Sequence, residues 1–210
     1  RPPPVLLVHG IYNDHLTMAP VRDFLLSRGL TDVEAIDLVP NDGSAGIPAL
    51  AEQVRNAALA LRARTGADRV DVVAFSMGSL VTRYWLMRGD GQAVVRRFVS
   101  IAGPHHGTLV AFLGFNEGAR QMRPDSPLLA DLARDEGAWG PVEVVSFWTP
   151  LDLMIVPAQS SRLKGAPDRA FTVLAHPLML YDARVLEAVA DALLAPHAHV
   201  PATASSPDWP

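Results

Sequence analysis

Residues 69–87 read RVDVVAFSMGSLVTRYWLM, and two periodicities meet inside that stretch. Val70, Val72, Val73, Ala74 and Phe75 form a short, β-branched apolar run of the kind a parallel sheet buries on both faces. Met77, Leu80, Val81, Tyr84, Trp85 and Leu86 then recur at helical spacing. Ser76 stands at the junction, so the chain reverses from strand to helix around it. A reversal this tight strains the backbone and crowds the positions two residues either side, which are Ala74 and Gly78. A serine held at such an apex is a candidate nucleophile, and a turn serine after a core strand is the plain alternative.

The same alternation extends outward. Strands are predicted over 5–8, 33–39, 70–75, 97–102, 142–148 and 169–174, with helices over 17–28, 47–64, 77–88 and 180–194. Six strands alternating with helices predict an α/β fold with an open, mostly parallel sheet and helices on both faces. Between 107 and 141 the alternation breaks. Gly114, Gly118, Pro124, Pro127, Gly137 and Gly140 interrupt an otherwise apolar segment, which reads as an excursion of short helices over the sheet's edge. One domain over 1–195 is expected, followed by a loosely held Pro-, Ala- and Ser-rich tail over 196–210.

Composition bounds the chemistry. A chain of 210 residues that is 49% hydrophobic suits one domain with a sizeable core. A net charge of −4 offers no basic footprint for nucleic acid. No apolar run is long enough for a transmembrane segment. With no cysteine, thiolate metal sites, disulfides and cysteine nucleophiles are excluded. The opening RPPP before the first strand is consistent with a secreted protein after signal removal, and a cytoplasmic location stays open. A monomer is expected.

In open parallel sheets, ligands bind beyond the carboxyl ends of the strands. Ile11 follows the first predicted strand, Ser76 the third, Asp152 the fifth and His176 the sixth. A serine hydroxyl needs a base in reach, and a histidine base needs a carboxylate to hold its tautomer and stabilise its charge. His176 is the favoured base, because it ends a strand and Pro177 turns it away from helical geometry. His197 and His199 fall in the tail and His15 precedes the first helix, so all three are read as surface residues. For His9, His105 and His106, beside glycine-containing turns, backbone support and catalysis are both open. Asp152 is the favoured acid, and its rival Asp168 begins a strand and belongs at the far end of the sheet. An oxyanion needs two backbone N–H donors, expected from Met77 at the start of the elbow helix and from Ile11 after His9-Gly10.

Together, Val8-His9-Gly10-Ile11, Ala74-Phe75-Ser76-Met77-Gly78, Ile101 to Thr108, Asp152 to Pro157 and the His176 loop resemble the small bacterial true lipases of the α/β-hydrolase superfamily. Residues 119–129 are similar to the stretch that follows in related lipases. The G-x-S-x-G pattern has Ala74 for its first glycine, the smallest departure available. The resemblance implies a catalytic triad of Ser76, Asp152 and His176, an oxyanion hole at Ile11 and Met77, and ester hydrolysis with no cofactor and no required metal. It also implies a lipid ester substrate, with contact at a lipid–water interface, and residues 107–141 as an apolar wall or partial lid. A short-chain carboxylesterase or thioesterase is the nearest alternative, and a non-catalytic binding protein of the same fold the remote one.

Overall fold

In the computed structural model, which describes residues 2–196, the chain runs through β1 (Val5–Val8), α1 (Ala19–Ser27), β2 (Val33–Ile36), α2 (Ile47–Thr65), β3 (Val70–Phe75) and α3 (Met77–Arg88). It continues through α4 (Gly91–Val94), β4 (Val95–Ile101), α5 (Glu117–Gln121), α6 (Pro127–Ala133), β5 (Glu143–Trp148), β6 (Asp168–Ala170) and α7 (Ala183–Leu194). The strands lie in the order β2-β1-β3-β4-β5-β6, and every pairing is parallel. Val8 pairs with Ala74, Ala74 with Ser100, and Ser100 with Ser146, so the carboxyl ends of the four central strands share one edge.

Period-two alternation divides the core between the sheet's two faces. Leu6, Val8, Val72, Ala74 and Phe98 pack against α2 and α3, while Val5, Leu7, Val73, Phe75 and Val99 pack against α1 and α7. All six residues of β3 are buried, as the apolar run predicts for a central parallel strand. The excursion adds Ala111, Met122, Leu129, Leu132 and Trp139 to the first of these layers. Its outer side stays apolar and exposed at Leu109, Phe112, Leu113 and Phe115.

Four predicted elements are shorter than their sequence pattern by more than one residue, the first helix among them, which keeps Ala19–Ser27 of the expected 17–28 after a 3-10 turn over 15–18. The second strand stops at Ile36 rather than 39, because side chains outside the ladder take the backbone that follows. Leu38 N–H donates to His9 Nε2 at 2.9 Å, and the Gln53 amide serves both Val39 N–H and Val39 O. The sixth strand stops at Ala170 rather than 174. Phe171 N–H still reaches Trp148 O, but β5 ends there, and Val173 N–H and O both turn to the Thr149 hydroxyl. The last helix starts at Ala183, capped by the Asp182 carboxylate, and the residues over 176–180 form a separate 3-10 turn. The tail over 197–210 lies outside the described residues, and with it His197 and His199.

Candidate active site

Ser76 occupies φ 54° and ψ −128°, a region a non-glycine residue adopts only under constraint. The constraint is visible: Ser76 N–H donates to Ile101 O at 2.9 Å on the neighbouring strand, and Ser76 O accepts from Ser79 N–H at 2.9 Å in the first turn of α3. Strand and helix therefore pull on the same residue from both sides. A Cβ on Gly78 would lie 2.3 Å from His9 O, and one on Gly10 would lie 2.8 Å from Ser76 Cβ. These two glycines let the elbow and the β1 loop close on each other. The small residue at 74 is buried between β1 and β4.

Asp152 and His176 meet at this end of the sheet, with His176 Nδ1 2.7 Å from Asp152 Oδ2 and both side chains buried. The other carboxylate oxygen, Oδ1, accepts the backbone N–H groups of Met154 and Ile155 at 2.8 and 2.9 Å. Three hydrogen bonds thus aim the carboxylate at the imidazole. The His176 ring lies against Phe75, centroids 4.7 Å apart, which sets it beside the residue preceding Ser76. Asp168, the rival acid, begins β6 and is bonded to Arg162 and Trp148 Nε1. Its ring of partners is separate from His176.

The remaining described histidines are bonded to backbone, to a hydroxyl or to carboxylates. His9 accepts Leu38 N–H at Nε2, so Nδ1 carries the proton that goes to Gly10 O at 2.8 Å. Burial pushes its pKa down, which keeps the ring neutral and the loop to Ile11 pinned to the chain after β2. His105 is buried against Ser100 Oγ at 2.7 Å, with its pKa well below the usual value through desolvation first and the Arg83 charge second. His106 bonds Glu136, and His15 bonds Asp37. On the β1 loop, Tyr12 N–H is committed to Asn41 O and Asn13 N–H to Gly10 O, whereas Met77 is the first residue of α3, where amides lack an intrahelical acceptor.

Apolar side chains crowd the rim of this end. Tyr12 follows β1; Leu109, Phe112, Leu113 and Phe115 belong to the excursion; Leu153 and Met154 flank Asp152; Leu174 and Leu178 flank His176. All are exposed. A cavity of about 630 Å³ lies at the opposite edge, lined by Pro4, Asp32, Arg69 and Pro141, which precede strands, and by Arg96 at the start of β4. Among the described residues, no group of three or more His, Cys, Asp or Glu is placed to hold a metal ion. Among them, too, no helix is long and apolar enough to cross a membrane.

Compared with known proteins, residues 4–128 match the sequence profile of the palmitoyl protein thioesterase family, more than half of the chain. The chain belongs to the palmitoyl protein thioesterase family. The family match covers the β1 loop, the elbow and much of the excursion, and ends before Asp152 and His176. Among curated proteins, a triacylglycerol lipase of Pseudomonas fragi is 29% identical over 113 residues, which is 51% of this chain and 36% of the lipase. The chain therefore matches little more than a third of that relative's length. Among solved structures, Aspergillus fumigatus lipase B superposes with a TM-score of 0.77 at 22% identity, over 91% of this chain and 52% of that one. The mature Bacillus licheniformis lipase BlEst2 gives 0.73 at 15% identity, over 85% and 86%. These likenesses establish the α/β-hydrolase fold for this family member.

Sequence reasoning missed Arg83, which sits in the apolar face of α3 and is 1% exposed. Its guanidinium donates to His105 O at 2.7 Å and Leu132 O at 3.2 Å, fastening the excursion to the elbow helix. An arginine amid LVTRYWL is the signal that could have found it: a charge at a helical position whose neighbours are all core.

Proposed function

We propose that the chain is a serine hydrolase of carboxylic esters that works through an acyl-enzyme on Ser76, with long-chain acylglycerols as its substrate class. The observation that carries this reading is the buried Asp152–His176 bond at 2.7 Å beside a serine at φ 54°, all at the carboxyl edge of the sheet. His176 takes the Ser76 Oγ proton as Oγ attacks the ester carbonyl. Asp152 holds Nδ1 and stabilises the imidazolium, and the amides of Met77 and Ile11 receive the oxyanion. Collapse breaks the ester C–O bond, His176 returns the proton to the leaving alcohol, and a water then repeats the cycle to release the acid. The exposed apolar rim supports a greasy acyl group presented at a lipid–water interface.

A second reading is favoured by the family match: the same machinery would cleave a long-chain thioester, with a thiol as leaving group. The test is one series of acyl p-nitrophenyl esters from acetyl to palmitoyl, an emulsified triacylglycerol and palmitoyl-thioesters, for the parent and Ser76→Ala. The expected result is preference for long chains, cleavage of the emulsion, and a rate at least 1000-fold lower in the variant. A variant that keeps the parent rate overturns the nucleophile. Preference for the thioester over the matched oxyester selects the second reading.

A further inference from the structure

The segment His105-His106-Gly107-Thr108 lies between the elbow helix and the acid loop and is bonded to both. On one side, Arg83 of α3 donates to His105 O. On the other, the Ser160 hydroxyl donates to Gly107 O and His106 N–H donates to the Ser160 hydroxyl at 3.1 Å. Thr108 is 5% exposed, and its own N–H is fixed on Met122 O at 2.9 Å. Its hydroxyl donates to Met154 O at 2.7 Å and accepts Val156 N–H at 3.0 Å, while Leu109 N–H donates to Val156 O at 2.8 Å. One hydroxyl thus grips the acid loop on both sides of Ile155. Ile155 and Met154 are the residues whose amides hold Asp152 Oδ1.

We propose that Thr108 is a positioning residue for the catalytic acid: its hydroxyl locks the Met154–Val156 turn so that the Met154 and Ile155 amides keep the Asp152 carboxylate aimed at His176. The proposal rests on the triad reading above. Asp152 can serve His176 only while Oδ2 stays in line with Nδ1, and Oδ1 is where the loop sets that angle. A carboxylate held by two amides follows those amides when the turn relaxes. Catalysis by a base and its orienting acid is sensitive to displacements of an ångström or less, so a loosened turn lowers kcat while leaving the acyl-binding walls intact. The alternative role for the same hydroxyl is as a cap for the 3-10 turn over 109–113, through Val110 N–H at 3.3 Å. A cap would affect the folding of that turn and leave the acid alone.

The experiment compares the parent, Thr108→Val, Thr108→Ser and Asp152→Asn. Valine keeps the volume and removes the hydroxyl, and serine restores the hydroxyl. Each protein is followed by kcat and KM on one soluble ester, by the pH profile of kcat/KM, and by the downfield proton resonance of His176 Nδ1–H in histidine-labelled protein. For Thr108→Val the expected outcome is a kcat lowered about 10- to 100-fold, a KM within about twofold, a displaced pH profile and a shifted or broadened Nδ1–H signal. Thr108→Ser returns all four to within about threefold of the parent. A Thr108→Val protein that melts earlier but keeps the parent's kcat, pH profile and Nδ1–H signal overturns the proposal in favour of the cap. If Thr108→Val does not fold at the assay temperature, the same readouts are taken on Thr108→Ala at a lower temperature: a lowered kcat with a shifted Nδ1–H signal upholds the proposal, and a parent-like kcat and signal overturn it. Parent-like activity of Asp152→Asn would instead remove the triad reading itself, so the two failures are told apart.

Discussion

At Gly78 an added methyl carbon would lie 2.3 Å from His9 O and 2.9 Å from Val8 O, both backbone atoms that cannot move without shifting β1. Gly78→Ala should therefore cost about 2–4 kcal/mol in urea unfolding and lower esterase activity with it, since the helix and the loop to Ile11 must separate. Ala74→Gly is the contrasting change. It restores the glycine of the common elbow pattern, should cost about 1 kcal/mol through backbone entropy, and should leave kcat within about twofold. Equal stability losses in the two variants would show that the close approach carries nothing. Ser76, Ala74 and Gly78 were legible because steric crowding at a strand-to-helix reversal leaves a local mark in the sequence. His9 was not, because its role depends on Leu38, a partner 29 residues away that no local pattern announces. Thr108 was illegible for the same reason, and for Arg83 the pattern marks a charge amid core residues but not its partners: in both cases these are backbone groups of distant loops, which any residue type can supply.

At the scale of elements, the central strands and the helices α2 and α3 were read almost to the residue, and the errors fall at the two edge strands and at the amino ends of α1 and α7, where 3-10 turns precede the helix. β2 and β6 lie at the two ends of the strand order, where apolar patterning continues past the last ladder bond and side chains decide where the strand stops. The carboxyl end of α7 shows how such ends are settled. Arg97 on β4 donates to Leu193 O at 2.7 Å and Pro196 O at 3.1 Å, and Arg96 donates to Leu193 O at 3.0 Å. Arg97 is also paired with Glu143, and Arg96 with the buried Asp71. Two guanidinium groups from the sheet thus share Leu193 O in the last turn of the helix, one of them also holds Pro196 O just beyond it, and both meet the negative end of its dipole. Arg97→Met should lower the unfolding free energy by about 2–4 kcal/mol and speed amide hydrogen exchange along α7 ahead of the other helices. Unchanged exchange in α7 would mean that the helix is held by its apolar face against the sheet alone.

Over the whole molecule, the ion pairs made by the strands' own arginines and the apolar rim lie at opposite ends of the strand direction. The amino-terminal edge carries the Arg96–Asp71 and Arg97–Glu143 pairs, while the carboxyl edge carries the apolar rim and the neutral buried histidines His9 and His105. This division makes stability depend on pH in a definite sense. Both histidines have folded-state pKa values below the ordinary 6.5, because burial disfavours the imidazolium, and for His105 the Arg83 charge adds to that. The unfolded chain therefore binds more protons than the folded one once the pH drops below about 6.5. Their contribution is fully present above that pH and is lost as the pH falls, at up to about 1.4 kcal/mol per pH unit for each ring. The carboxylates whose pKa values are lowered by hydrogen bonds, among them Asp90, Asp135 and Asp182, give up their share only near and below their unfolded values, about pH 4. Urea unfolding at pH 7.5, 6.5 and 5.5 should thus show little change over the first step and a clear loss over the second. His105→Asn, which keeps a hydrogen-bonding side chain opposite Ser100 and removes the titrating ring, should flatten the second step by up to half whatever its own stability at pH 7.5. A second step as steep in that variant as in the parent would assign the acid sensitivity to groups other than His105.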